Sequence, residues 1–189
     1  GDRVLAAREG AQRESSARLI DWIDEALREA DVALGDLAGA VALRGPGSFT
    51  GLRVGLATLL GFHQAVELPV TGLPTLAVLA AAAPSTHRVL ALVPAGPGEW
   101  FAQPYESEWP PRELDEPRRL PAEELVAAAR DCDVLVVATT GEEARLGDSS
   151  RPVHVTGVLA PVAARLASLH PPAWDAALHG YRRSQDQSE

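Results

Sequence analysis

The sequence predicts an α/β fold with a mixed sheet. Short apolar runs of strand length alternate with longer segments of helical periodicity along most of the 189 residues. Val134–Ala138 is a continuous apolar run, which is typical of a parallel strand buried on both faces. A glycine-rich segment, Arg44–Gly55, joins a strand-length run sharply to a helix-length run.

The first part of the chain alternates strands with helices. The first helix carries a wide apolar stripe, and Pro74 suits the start of the third helix. In order, the predicted elements are strand Gly1–Ala7, helix Arg13–Asp31, strand Ala38–Leu43, helix Thr50–Val66, strand Val70–Gly72 and helix Thr75–Ala83.

The character of the chain changes at Pro84–Arg88, and strands dominate the region that follows. The proline-rich and acidic segment Glu106–Pro121 is typical of an exposed loop. The elements predicted around it are strands Val89–Val93 and Trp100–Tyr105, helix Ala122–Arg130, strand Val134–Ala138, turn Thr139–Gly141, strand Val153–Val155, helix Leu159–Leu169 and a frayed tail Gln185–Glu189.

Composition indicates a globular protein and excludes several classes of enzyme. Apolar residues make up 46% of the chain and charged residues 23%. All 17 basic residues are arginine, so a Walker-type phosphate lysine and a lysine Schiff base are excluded, and with them P-loop NTPases and pyridoxal enzymes. The net charge of −9 disfavours direct binding of nucleic acid.

Cys132 is the single cysteine, so the chain can form no internal disulfide. No apolar run reaches the roughly 20 residues that a membrane-spanning helix requires, and no signal peptide is recognisable. These features predict a cytoplasmic protein without a membrane span.

The glycine-rich segment Arg44–Gly55 is the most informative motif. Ser48 and Thr50 can cap the helix that follows, where backbone N–H groups lack partners. Such a corner is either a tight turn with a helix cap or a cradle for an anion, and short glycine motifs do not distinguish the two. The glycine corner consists of Arg44, Gly45, Pro46, Gly47, Ser48, Phe49, Thr50, Gly51 and Arg53.

The string Gly45–Gly51, followed by Arg53-Val54-Gly55, closely resembles the signature of the bacterial TsaB family, also called YeaZ. Arg13–Ile20 is similar to the first helix of that family, although Ser15 stands where the family commonly has histidine. The resemblance covers residues 1 to about 83 and is thinner beyond. Further matching positions are Pro69, Gly72, Thr75-Leu76, Leu79-Ala80 and Tyr181-Arg182.

The resemblance implies a two-lobed actin-like ATPase (ASKHA) fold with mixed sheets. The expected lobes are residues 1–86, which hold the glycine corner, and a smaller, divergent lobe of residues 87–189. Family members have one or two strands, with a phosphate loop, before the point where this chain begins. An ASKHA sheet without them would expose unpaired backbone groups, so the natural protein is expected to contain them.

No catalytic, metal or cofactor site is expected. Ser48 does not lie in a Gly-x-Ser-x-Gly nucleophile elbow. Family members tend to have Asp-Ala-Arg where this chain has Pro94–Gly96, so nucleotide hydrolysis by this chain alone is not expected. The histidines lack the close pairing typical of a metal site. The five histidines are His63, His87, His154, His170 and His179.

The second helix is the strongest candidate for a docking surface. It carries the small residues Gly51, Gly55, Ala57, Gly61 and Ala65. A glycine inside a helix costs about 1 kcal/mol relative to alanine, and close approach of a partner helix would compensate. The alternative is packing on the chain's own sheet. With Trp22 as an anchor, the predicted interface residues are Arg18, Leu19, Trp22, Ile23, Ala26, Gly55, Leu56, Leu59, Leu60 and His63.

Two functional hypotheses follow. By resemblance, the chain is a non-catalytic subunit that stabilises TsaD, the catalytic paralogue, in a complex that also needs the ATPase TsaE. That complex transfers a threonylcarbamoyl group to tRNA, which this chain would touch only indirectly. A homodimer through the same helices is expected when TsaD is missing. The alternative is a stand-alone ASKHA-type enzyme, either a degenerate kinase-like ATPase or a glycoprotease-like peptidase.

Overall fold

A computed structural model describes residues 3–10, 12–84, 88–146, 151–157 and 159–169. The chain divides into two compact units, of which one is Pro74–Val162. The other combines the described parts of Gly1–Leu73 and Ala163–Glu189. The division into lobes 1–86 and 87–189 stays a prediction.

The unit that begins the chain contains two long helices and a two-stranded parallel sheet. Helix α1 packs on helix α2, which also packs on strand β1. Ala40 pairs with Val70 and Leu43 with Leu73, and every residue of β2 is buried. The elements are α1 (Gln12–Ala30), a 3₁₀ turn (Leu34–Asp36), β1 (Ala40–Leu43), α2 (Phe49–Val66) and β2 (Val70–Leu73). The corresponding predicted elements are confirmed to within two residues.

The predicted strand Gly1–Ala7 is wrong over its described residues. Residues 3–10 have no regular secondary structure, and the side chains of Val4 and Leu5 are 52% and 49% exposed. A strand is stabilised by pairing with a neighbour. Among the described residues, β1 and β2 pair only with each other. Arg8 is instead bound to the side of α1.

The second unit is built on a mixed sheet, as predicted. Its strand order is β5-β4-β3-β7-β8, with β6 also pairing with β4. Strands β3, β7 and β8 run parallel, whereas β4 is antiparallel to β3. From residue 75 onward the elements are α3 (Thr75–Ala82), β3 (Arg88–Gly96), β4 (Glu99–Glu106), β5 (Arg112–Glu113), β6 (Arg118–Pro121), α4 (Leu125–Ala128), β7 (Val134–Val137), α5 (Thr140–Leu146), β8 (Val153–Val155) and α6 (Ala160–Ala167).

The sheet buries a hydrophobic cluster on each face. Successive residues of β3 point to opposite faces, so Val89 and Ala91 join one cluster while Leu90 and Leu92 join the other. Leu76 and Leu79 of α3 cover the first face. Leu125 of α4 contributes to the second. The apolar run Val134–Val137 is fully buried, which confirms the predicted parallel strand.

Two segments after β4 are more regular than predicted. The predicted loop Glu106–Pro121 contains β5 and β6, because both pair with the edge of β4. The predicted turn Thr139–Gly141 includes the start of α5. The backbone N–H of Glu142 donates to Thr139 Oγ1 (3.3 Å), and the Glu142 carboxylate accepts from the backbone N–H of Thr139 (3.3 Å), which together form a capping box.

Some of the predictions concern residues that the structure does not describe. His87, His170, His179, Tyr181-Arg182 and the tail Gln185–Glu189 lie outside the described residues. Within the described residues, no helix combines the length and apolar character needed to cross a membrane.

Candidate functional site

The glycine corner turns the chain from β1 into α2. Gly45 has φ of 102°, a conformation that suits glycine, and a Cβ there would lie 3.1 Å from Leu52 Cδ1. Ser48 is the N-cap of α2, and its Oγ accepts from the backbone N–H of Gly51 (3.3 Å). The predicted cap is therefore confirmed at Ser48, whereas Thr50 lies inside the first turn. A tight turn followed by a helix cap accounts for the positive φ of Gly45 and for the hydrogen bond of Ser48.

The first turns of α2 present a shallow cavity to solvent. Its volume is about 340 Å³, and it is lined by Phe49, Thr50, Arg53, Val54 and Ala57. The Phe49 side chain is 46% exposed, and the Arg53 guanidinium lies 5.1 Å from the centre of its ring. The corner therefore offers an aromatic surface with a cation stacked on it.

One side of α2 is open along its whole length. Helical residues advance by about 100° each, which places five exposed positions on one face. We call them the open face of α2: Thr50, Arg53, Ala57, Gly61 and Ala65. Most of these side chains are small, so a second helix could approach the backbone closely.

The mid-helix glycines gain no packing from the described part of their own chain. At Gly55 and at Gly61, an added Cβ would find no atom of the described chain within 4 Å, apart from the local helix backbone. These two glycines are thus not explained by close packing on the chain's own sheet. Gly55 lies about 200° before Ala57 around the helix, so the small residues do not form a single stripe.

The α2 residues predicted to form the interface lie on other sides of the helix. Leu56 and Leu59 are each only 8% exposed, so their side chains pack inside this chain. Gly55, Leu60 and His63 are half-buried, and His63 Nδ1 lies 3.0 Å from the Leu68 carbonyl oxygen. Contact of these residues with a partner stays a prediction.

On α1, Trp22 is half-buried within the chain. The Arg18 guanidinium lies 5.3 Å from the ring centre of Trp22, and a Cβ at Gly10 would lie 2.3 Å from Trp22 Cη2. The other predicted α1 interface residues, Leu19, Ile23 and Ala26, are half-buried, whereas Ile20 is 56% exposed. The predicted anchor therefore lies against Gly10, which precedes the helix, and beside Arg18 of the helix itself.

The β3–β4 hairpin, where the chain departs from the TsaB pattern, is held by a residue that sequence reasoning missed. Arg145 Nη2 donates to the Gly96 carbonyl oxygen (2.7 Å), and its guanidinium lies 5.3 Å from the ring centre of Trp100. Glu99 forms an ion pair with Arg119 of β6. No sequence pattern links Arg145 to a hairpin so distant along the chain.

The buried titratable groups favour their neutral forms. Burial raises the pKa of the Cys132 thiol, with a further contribution from Asp131 and Asp133. Burial also raises the pKa of Tyr105, whose hydroxyl donates to Gln103 Oε1 (2.6 Å). Neither group is prepared to act as a nucleophile or base near neutral pH. Among the described residues, no group of three His, Cys, Asp or Glu side chains could hold a metal ion.

Replacing Gly61 by alanine is expected to stabilise the isolated chain. The new methyl group would lie more than 4 Å from every described atom outside the local helix backbone, and alanine favours the helix by about 1 kcal/mol over glycine. This corresponds to a rise of about 2–4 °C in Tm, measurable by differential scanning calorimetry. Gly39→Ala is the control, because its Cβ would lie 3.1 Å from the Pro69 carbonyl oxygen, and Tm should fall. A lower Tm for Gly61→Ala would contradict the open environment of this helix position.

Comparison with known proteins identifies relatives of this chain. A model of the family described as "TsaD: tRNA N6-adenosine threonylcarbamoyltransferase" matches residues 8–108, just over half of the chain. The chain is similar to the tRNA threonylcarbamoyladenosine biosynthesis protein TsaB of Escherichia coli (strain K12), at 33% identity over 99 residues, covering 51% of this chain and 43% of that protein. The TsaB protein of Haemophilus influenzae is 37% identical over 85 residues, covering 45% and 36% of the two chains.

Comparison with solved structures finds relatives of the same kind. The solved structure of YeaZ from Pseudomonas aeruginosa superimposes with a TM-score of 0.70 and 26% identity, covering 85% of this chain and 78% of that chain. The matches to the two curated relatives span less than half of their lengths. The chain belongs to the family described as TsaD, tRNA N6-adenosine threonylcarbamoyltransferase, and within it to the TsaB (YeaZ) proteins.

Proposed function

We propose that this chain acts in tRNA threonylcarbamoyladenosine biosynthesis as a non-catalytic subunit that docks on TsaD through α1 and α2. The relatives named TsaB support a role in this biosynthesis. In the proposed assembly, the chain stabilises TsaD and helps to form surfaces for TsaE, while tRNA is contacted only indirectly. This role would take place in the cytoplasm. A homodimer through the same helices is the expected state when TsaD is missing.

The observation that carries the proposal is the open face of α2. It combines small side chains at Ala57, Gly61 and Ala65 with an exposed aromatic–cation pair, Phe49 and Arg53, at its start. No described side chain packs closely against Gly61, and glycine at this position makes the helix about 1 kcal/mol less stable than alanine would. Close contact with a partner helix would offset that loss, because only a small residue lets two backbones approach.

The chemistry of the remaining residues supports a non-catalytic role. The Cys132 thiol is buried and stays protonated near neutral pH. His63 is engaged with the Leu68 carbonyl oxygen. Tyr105 is fully buried beside Gln103. Each of these reactive side chain types thus has a structural role in the chain.

The proposal is tested by co-purification with TsaD from the same organism. Ala57→Glu places a charge in the middle of the open face, and we expect it to weaken the affinity for TsaD at least tenfold, which is about 1.4 kcal/mol. Ala57 is exposed, so the isolated variant should fold normally. Unchanged secondary structure by circular dichroism would verify this.

Ala164→Glu provides a matched control, because Ala164 is an exposed alanine of α6. This variant should bind TsaD as the unmodified chain does. Equal binding by both variants would refute docking through the open face. Hydrolysis of ATP by the isolated chain would instead favour the stand-alone enzyme.

A further inference from the structure

We propose that Arg8–Gly10 forms a strap on α1 that competes with the partner for the Trp22 side of that helix. This inference rests on the proposed function, since it concerns regulation of the same docking surface. The strap precedes α1 and has no regular secondary structure. Its position is set by contacts at both of its ends.

The first contact is electrostatic. Arg8 Nη2 lies 2.6 Å from Glu29 Oε2, and Arg8 Nε lies 3.3 Å from Glu25 Oε2. The two carboxylates raise the pKa of the Arg8 guanidinium, mainly through these hydrogen bonds. The ion-paired side chains remain partly exposed, with 28% exposure for Arg8 and 51% for Glu29. Exposed ion pairs are weak and are screened by salt, so these contacts can be released.

The second contact is steric and lies against Trp22. A Cβ at Gly10 would lie 2.3 Å from Cη2 and 2.9 Å from Cζ2 of the indole, so only glycine fits there without a shift. The Arg18 guanidinium also lies over the same ring. The apolar surface of Trp22 is therefore already partly covered by its own chain.

Both contacts fall on one side of α1. Trp22, Glu25 and Glu29 are separated by three and four residues, which places them on the same side of a helix. A partner that uses Trp22 as an anchor must displace the strap first. The apparent affinity of the partner for this chain then equals its intrinsic affinity multiplied by the fraction of molecules in which the strap is released.

Two substitutions release the strap in different ways. Arg8→Ala removes both ion pairs, and Gly10→Ala introduces a methyl group into the space of the indole ring. We expect each variant to bind TsaD about two- to fivefold more tightly than the unmodified chain. For Arg8→Ala, this is the range expected for the loss of weak surface ion pairs. Titration of TsaD with the 189-residue chain by isothermal calorimetry measures this change.

A second measurement, limited proteolysis of the isolated chain, reports on the strap without any partner protein. Trypsin cleaves after arginine, and the Arg8–Glu9 bond should be cut faster in Gly10→Ala than in the unmodified chain, because the strap has left α1.

For the affinity measurement, Arg3→Ala is the control for the loss of one positive charge from the same segment. Arg3 takes part in none of the ion pairs found among the described residues, so this variant should leave the affinity for TsaD unchanged.

The outcomes separate this inference from the proposed function. Faster cleavage together with tighter binding supports the strap as a competitor. Faster cleavage with unchanged or weaker binding refutes competition while the docking itself stands. Failure of every variant and of the unmodified chain to bind TsaD refutes the proposed function and the competition with it. An unchanged cleavage rate in Gly10→Ala shows that the strap does not cover Trp22, and refutes the inference.

Discussion

Replacing Trp100 by alanine is expected to lower the free energy of unfolding by about 3–5 kcal/mol, the largest effect predicted for this chain. The Trp100 side chain is 1% exposed and packs in the cluster that contains Leu90 and Leu92. The substitution leaves a cavity in this cluster and also removes the ring on which Arg145 lies. Urea denaturation of the isolated chain, followed by circular dichroism, measures the loss.

Trp109→Ala is the matched control, because it removes the same side chain from a more exposed site. Trp109 is 37% exposed and lies between β4 and β5. Its replacement should change the free energy of unfolding by less than about 1 kcal/mol, as is usual for surface substitutions. Similar losses for both variants would mean that Trp100 does not pack in the core as described.

The elements that the sequence predicted well are those whose own residues determine their burial. Val134–Val137 is apolar throughout, and both faces of that strand are covered. Ser48 caps α2 because the motif itself supplies the hydroxyl and the following glycine N–H. Local chemistry of this kind is visible in the sequence before any tertiary contact is known.

The elements that were predicted wrongly depend on distant partners. Residues 3–7 have strand-like composition but remain irregular, since composition does not provide a neighbouring strand. The segment 106–121 was predicted as a loop, yet Gln103 of β4 donates to the Asp115 carbonyl oxygen (2.9 Å) and helps to order it. The start of α5 differs, because Thr139 and Glu142 have the spacing of a capping box and could have been recognised.

The candidate site was predicted only in part for the same reason. The motif located the glycine corner and the helix that follows, but periodicity alone did not decide which side of α2 is open. Leu56 and Leu59 are predicted interface residues that are buried within the chain, and their contact with a partner stays a prediction. Gly10 and Trp22 belong to different segments, and no sequence pattern indicates that they lie against each other.

Replacing Gly45 by alanine is expected to destabilise the chain by about 2–3 kcal/mol. Gly45 has φ of 102°, which L-residues with a side chain rarely adopt, and such strain costs of order 1–3 kcal/mol. The new Cβ would also lie 3.1 Å from Leu52 Cδ1, so Leu52 must shift at the start of α2. Urea denaturation gives the change in stability, and the TsaD affinity reports whether the displaced helix still docks.

Gly51→Ala tests the same motif with the opposite expected sign. Its Cβ would lie 3.6 Å from the Cβ and Oγ of Ser48, an ordinary contact distance, and the residue is inside the first turn of α2. Alanine favours the helix there, so stability should be unchanged or rise by up to about 1 kcal/mol. Because both variants add one methyl group to the glycine corner, a difference between them isolates the backbone requirement at Gly45. Equal stability of the two variants would contradict the turn geometry on which the placement of α2 depends.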